Sequence, residues 1–235
     1  MSTTPGRPVV ALDIDGVLNI EHSARKVGPG WIRRTVTIPP DGRFSPFTLL
    51  GEHSLEMPLT INPTLHGPWI TKIRENADIC WASTWEYDAN RHLVPLLRIE
   101  PLPVGISVAA QRPRFHDGPM DWKARALQQA FPGRPVVWID DLNFTADHDD
   151  WCDRPDRLLI NTDPAIGMTA EHMTQIEEFV SWHHSSERQI RADMLADIGR
   201  LNLVTGGDAA TRTIVLSLAD EQARSEGSKV LFASQ

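Results

Sequence analysis

The sequence predicts an α/β fold, a doubly wound parallel sheet of about five strands with helices on both faces, and three observations lead there. Short apolar runs rich in β-branched residues alternate with stretches of helical period, the pattern of strands buried on both faces and joined by crossover helices. The first run, Val9-Val10-Ala11-Leu12, stops abruptly at Asp13-Ile14-Asp15-Gly16, which puts acid groups at a strand's exit, where open α/β sheets bind ligands. A later run, Val136-Val137-Trp138-Ile139, stops in the same way at Asp140-Asp141.

The elements follow in order. Strands are expected at Val9 to Asp13, Ala77 to Ser83, Pro135 to Asp140 and Arg157 to Asn161, with a shorter fifth at Val104 to Val108. Helices are expected at Trp69 to Glu75, Asp88 to Leu97 and Asp121 to Phe131, the last with Trp122, Ala126 and Ala130 on one face. Gly67-Pro68 reads as the start of the first helix, because proline fits the first turn and glycine tolerates the cap geometry. A final helix is expected from Thr169 as N-cap, with Met173, Ile176 and Val180 at helical spacing, closing the domain near Trp182.

Two regions depart from the alternation. Residues 20–62 hold clustered turn signals, Gly28-Pro29-Gly30 and Pro39-Pro40-Asp41-Gly42, around the alternating Trp31 to Ile38, so they read as a β-hairpin flap inserted above the Asp13/Asp15 site. The core is thus assigned to residues 7–184, with the flap inside it, and residues 185–235 to a helical extension. In that extension Ile190, Met194, Ile198 and Leu201 fall at helical spacing, and a second helix is expected from Ala209 to Ala223; packing on the core or a homo-oligomer contact is its expected role.

Composition narrows the class. The 235 residues are 41% hydrophobic, enough for a core, and no apolar stretch approaches the roughly 20 residues that span a bilayer. The residues before Val9 are too short and polar for a signal peptide, so the expected location is a cytoplasm, that of a host cell if the gene is viral. Cys80 and Cys152 sit in unrelated contexts without CxxC spacing, which points to core cysteines rather than a disulfide framework or thiolate zinc site. The net charge of −8 argues against a general phosphate-backbone binder. The charge is uneven, however: residues 19–47 carry Arg25, Lys26, Arg33, Arg34 and Arg43 against Glu21 and Asp41, a local +3 that leaves −11 elsewhere.

Alternation along an extended segment places Asp13 and Asp15 on one side as the chain leaves the sheet. Two such carboxylates attract a hard divalent cation, for which Mg²⁺ is suited because it bridges protein carboxylates to substrate phosphate. Crowding pushes their proton affinities apart, so that one can serve as a nucleophile and the other as acid/base. A calcium loop is disfavoured, since its glycine belongs at the sixth position and Gly16 is the fourth. A metal-dependent sugar transferase using Asp-x-Asp is an alternative that lacks any recognisable nucleotide-sugar pocket. Three further segments add to the pair. Ser83-Thr84 ends one strand in hydroxyls, Asp140-Asp141 ends another in acids, and Lys123, one of only four lysines, stands at a helix start.

In that order these residues resemble the four motifs of the haloacid dehalogenase superfamily, with its Rossmann-like core, and the likeness to its small phosphatase members runs from about Arg7 to Trp182. The resemblance implies that Asp13 is the nucleophile at phosphorus and that Asp15 protonates the leaving oxygen and then activates water. An aspartate at the second position implies a phosphatase, since ATPases of the superfamily usually have threonine there. Ser83 matches the phosphate-binding hydroxyl, with Thr84 beside it; Lys123 matches the motif lysine; Asp140 and Asp141 match the acidic pair, Asp141 touching metal and Asp140 supporting it. The implied metal set is Asp13, Asp15, Asp140 and Asp141 around Mg²⁺, and the backbone near Ile14 is implied in holding phosphate. Catalysis would then rest on positioning and charge stabilisation.

Superfamily insertions between the first two motifs shape substrate choice, which here assigns that role to the flap. Its Arg25, Lys26, Arg33 and Arg34 suggest a nucleotide or nucleic-acid end phosphate rather than a small sugar phosphate. A metabolite phosphatase and a non-catalytic binding or regulatory protein with the same fold remain alternatives, and a fold alone does not choose among them.

Overall fold

The computed structural model describes residues 6–20, 28–38, 54–107, 121–141, 151 and 154–185. By its internal contacts the chain divides into two units, 1–183 and 184–235. Nearly all described residues belong to the first, and both expected tail helices, like Arg25, Lys26 and Cys152, lie outside them.

Among the described residues, four parallel strands form the central sheet: β1 (Val9–Leu12), β4 (Asp78–Trp81), β5 (Val136–Asp140) and β6 (Arg157–Asn161), in spatial order β4-β1-β5-β6. Val9 lies in register with Asp78 on one side and Val136 on the other. The chain therefore builds β4 on one edge of β1, then crosses to place β5 on the opposite edge. That reversal makes the carboxyl end of β1 a switch point, where doubly wound sheets open a ligand crevice.

Side-chain alternation divides the core between the two sheet faces. Val10, Leu12, Ile79, Trp81, Val137, Ile139 and Ile160 pack with α1 (Pro63–Asn76), α2 (Glu86–His92), α3 (Val94–Leu97) and α5 (170–185). Val9, Ala11, Cys80, Val136 and Trp138 pack with α4 (Asp121–Ala130) and Trp151. Cys80 is a buried free thiol, and burial pushes it up to about 12, so it is a packing residue and not a nucleophile. Helix α5 uses the expected Met173, Ile176 and Val180, all buried. Its start is capped reciprocally: the His172 N–H donates to Thr169 Oγ1 at 3.4 Å, and the Thr169 N–H donates to His172 Nδ1 at 3.2 Å.

Several boundaries differ from expectation. Helix α1 begins at Pro63, six residues before Trp69, and runs through Gly67-Pro68. Pro63 occupies the first turn, whereas Gly67 serves packing, because a Cβ there would strike the Leu97 carbonyl. The helix expected at Asp88 to Leu97 starts at Glu86 and is interrupted at Leu93, one residue before the Val94-Pro95 start of α3. On α4 the buried positions are Trp122, Lys123, Ala126 and Leu127, while Ala130 is exposed. The fifth strand reduces, among the described residues, to a single bridge from Trp81 to Val104. Pro101 and Pro103 lack ladder donors, and the edge is closed instead by Asn90, whose amide exchanges hydrogen bonds with Leu102.

The flap is an antiparallel pair, β2 (Ile32–Ile38) with β3 (Leu55–Ile61). It is rooted in the core by Leu59, Thr60 and Ile61, all buried. Nearby, Trp31 meets the buried His66 edge-on at 5.6 Å, and His66 packs on Trp69 at 5.9 Å. Burial lowers His66 to about 4, and neither ring nitrogen has a hydrogen-bond partner, so it packs as a neutral aromatic.

Candidate active site

Three strand ends meet at the crevice. The Asp13 N–H donates to the Ile139 carbonyl at 3.0 Å, and the Ala82 N–H to the Leu12 carbonyl at 2.8 Å, which brings the exits of β5 and β4 against that of β1. After β1 the chain turns at once: the amides of Leu18 and Asn19 donate to the Ile14 carbonyl at 2.9 and 2.8 Å. From beyond β6, the Thr162 hydroxyl donates to the Gly16 carbonyl and the Met168 N–H to the Val17 carbonyl, both at 2.8 Å, and fix the turn.

Lys123 joins the acids. Its ammonium, on a side chain only 5% exposed, lies 2.7 Å from Asp13 Oδ2 and 2.6 Å from Asp140 Oδ2. Burial pulls the lysine pKa down, but the charges of Asp13 and Asp140 outweigh it and hold the group above its ordinary value. Asp13 Oδ1 accepts the Ile14 N–H at 2.8 Å, so in this structure the amide expected at phosphate is turned onto the carboxylate. Asp140 is fully buried and also accepts the Trp138 indole N–H at 3.1 Å.

Asp13, Asp140 and Asp141 bring carboxylate oxygens within 4.8 Å of one another, a group able to hold a metal ion. Asp15, expected in that set, is not part of it. Its Oδ1 accepts from Asn19 Nδ2 and its Oδ2 from the Trp85 indole nitrogen, each at 2.7 Å. Burial pushes Asp15 up most, opposed by those two donors. Asp141 is raised by burial and by the charge of Asp13, and Asp140 likewise, with Lys123 and Trp138 pulling the latter back. Lys123 thus contacts two of the acids, Asp13 and Asp140, while Asp141 lies beside them, an excess of negative charge that a divalent cation would relieve.

Gly16 lets Asp141 approach. Its φ of +68° is left-handed, and a Cβ there would collide with the Asp141 carboxylate. Ser83 is buried just past β4, and its hydroxyl accepts the Trp85 N–H at 3.4 Å; Thr84 beside it is half-buried. Arg33 and Arg34 are exposed on β2, in register with Thr60 and Leu59, and Thr60 in turn donates its N–H to Asn19 Oδ1 at 2.7 Å. The structure adds two residues that motif reading did not place at the site, Asn19 and Trp85. Trp85 packs in the core, only 2% exposed, and from there offers its N–H edge to Asp15, whereas Tyr87 is 60% exposed. Asparagine six residues after the first acid carries no pattern signal; a tryptophan two residues past the serine does, read as an amphipathic ring with a buried N–H that needs a partner.

A nucleophile-type aspartate at the β1 exit, a hydroxyl after β4, a lysine from α4 and an acid pair after β5 define a domain of the haloacid dehalogenase type. More narrowly, residues 9–173 match the family described as the HAD domain in Swiss Army Knife RNA repair proteins, and the chain belongs to that family. No curated protein and no solved structure matches the chain. Among the described residues no helix is long and apolar enough to cross a membrane.

Proposed function

We propose that the chain is a Mg²⁺-dependent phosphatase that removes a phosphomonoester from a nucleic-acid end, RNA above all, through an aspartyl-phosphate on Asp13. The observation that carries this reading is the Asp13–Lys123–Asp140 contact with Asp141 alongside, at the switch point of the sheet. The RNA preference is supported by the family's occurrence in RNA repair proteins and by Arg33 and Arg34 on the flap.

The donor set fits a hard cation. It is all carboxylate oxygen, and burial together with the charge of Asp13 raises the affinities of Asp140 and Asp141 for protons, which a cation would offset. Asp13, Asp140 and Asp141 would hold Mg²⁺, which when bound neutralises charge on the phosphate oxygens. Lys123 holds Asp13 in one rotamer and sets a positive charge beside the reacting oxygens. Ser83 supplies a hydroxyl donor. Asp15, whose proton affinity burial raises, gives its proton to the leaving oxygen while Asp13 bonds phosphorus, and then takes one from the water that releases phosphate.

The test is a panel of 3′- and 5′-phosphorylated oligonucleotides, mononucleotides and sugar phosphates, run with Mg²⁺ and with EDTA. Release from oligonucleotide ends that EDTA abolishes is expected; neutralising Arg33 and Arg34 should raise KM for oligonucleotides several-fold and leave sugar phosphates unaffected. Turnover indifferent to EDTA removes the metal from the reading, and a preference for sugar phosphates removes the RNA end. Gly16→Ala should weaken activation by Mg²⁺ at least about tenfold, by pushing Asp141 off the group. An unchanged Mg²⁺ titration in that variant would mean that Asp141 is not a ligand.

A further inference from the structure

The geometry points to Trp85 and Asn19 as positioning residues for Asp15: two donors, one from each side, that fix the carboxyl in the orientation both proton transfers need. The inference rests on the phosphatase reading above. Each Asp15 oxygen receives one hydrogen bond of 2.7 Å, and a carboxyl has further lone-pair directions on which the working proton can sit. Asp15 is only partly exposed, and both of its oxygens are already taken by protein donors, so the protein sets its orientation.

Both donors are themselves locked. Asn19 Oδ1 accepts the Thr60 N–H at 2.7 Å, which fixes the amide and leaves Nδ2 to face Asp15. Its own N–H donates to the Ile14 carbonyl at 2.8 Å. Trp85 sits in the turn after β4, where the Glu86 N–H donates to the Ser83 carbonyl at 3.2 Å and the Asp88 N–H to the Trp85 carbonyl at 2.9 Å. Glu86 there has a φ of +41°, a left-handed conformation that a side-chain-bearing residue adopts at a cost and keeps only where its surroundings impose it. One strained turn thus delivers both the Ser83 hydroxyl and the indole N–H that holds Asp15. Flexible side chains would leave the acid free among rotamers; a buried indole and a doubly fixed amide do not.

The chemistry gives the positioning role a distinctive signature. In the first step the Asp13 oxygen–phosphorus bond forms, the bond from phosphorus to the leaving oxygen breaks, and the Asp15 proton moves to that oxygen. In the second, the water oxygen bonds phosphorus, the Asp13–phosphorus link breaks, and a water proton returns to Asp15. An alkoxide leaving group needs the proton in the first step, whereas p-nitrophenolate departs without it; both substrates need Asp15 as base in the second step. Trp85→Phe keeps the ring and deletes the donor. Its kcat on a 3′-phosphorylated oligoribonucleotide should fall about 10- to 100-fold with KM little changed, a fraction of what a whole general acid contributes. On p-nitrophenyl phosphate the same variant should release a burst of nitrophenolate, and its ratio of burst rate to steady-state rate should exceed that of the wild type.

Equal slowing on both substrates with no enhanced burst, or no slowing at all, overturns the positioning role while the wild-type turnover leaves the phosphatase reading standing. A wild type that hydrolyses neither ester overturns both. Should Trp85→Phe melt far below the wild type, Asn19→Ala takes its place, read on the p-nitrophenyl phosphate burst because that ester has no nucleotide to contact the flap; absence of the enhanced burst there overturns the inference equally.

Discussion

Asp13→Asn should abolish turnover, lowering kcat on every phosphate ester by about 10⁴-fold or more, because an amide cannot replace a carboxylate as the attacking nucleophile. The substitution is nearly isosteric but not electrostatically neutral. Asp13 accepts from Lys123 on one oxygen and from the Ile14 N–H on the other, and an asparagine can meet only one of these donors with its single carbonyl. A loss of about 1–3 kcal/mol is therefore expected, small enough for a folded chain. Stopped assays on a 3′-phosphorylated oligonucleotide and on p-nitrophenyl phosphate give the rate, and radiolabelled substrate with acid quench gives the phosphoryl-protein, which the wild type should form and the variant should not. Near-normal hydrolysis by Asp13→Asn would refute the covalent route.

The second large effect falls on Lys123, and it is felt in stability as well as activity. Lys123→Met strands Asp13 and Asp140 together in a buried site, and removing one partner of such an arrangement costs about 3–5 kcal/mol. Adding Asp140→Asn should recover a good part of the stability and none of the activity, which separates the electrostatic cost from mere loss of packing. A pH series adds an independent check. Asp13 and Asp140 hold the Lys123 pKa above its ordinary 10.5, so its contribution is fully present below that pH and is lost as the pH rises through the higher folded value. Wild type should consequently lose stability above about pH 10.5 more steeply than Lys123→Met, as read by denaturant melts across that range. Parallel curves would mean that the lysine is not charged in the folded site.

The sheet was legible because strands buried on both faces cannot alternate and so announce themselves as continuous apolar runs. Arg157–Asn161 was placed to the residue, and Val136–Asp140 to within one. Helix α1 was misplaced because Gly67-Pro68 is strong local punctuation, and only the packed Leu97 carbonyl, thirty residues on, explains the glycine. Pro101 and Pro103 should have lowered the weight given to a strand at Val104. At the site, Asp13, Lys123, Asp140 and Asp141 were brought together as the motif order implies, since their chemistry and their positions at element ends are both visible in one dimension. Asp15 was visible as an acid but not as one set apart from Asp13, Asp140 and Asp141. What separates it is a pair of hydrogen bonds to Asn19 and Trp85, four and seventy residues away, and no periodicity reports a contact between a turn and a distant indole.

The strand order carries a consequence for how the chain comes into being. β1 lies between β4 and β5, so a chain that has been synthesised through β4 has closed only one of its two edges. The other edge, four fully buried residues in the finished fold, stays an unpaired apolar ladder until Asp140 has left the ribosome. Non-local parallel pairing of this kind is slow, which makes the interval a window for misassociation. The same delay leaves the site incomplete on the nascent chain: a ribosome-bound fragment ending before β5 carries Asp13 and Lys123 but lacks Asp140 and Asp141, the acids that complete the cluster.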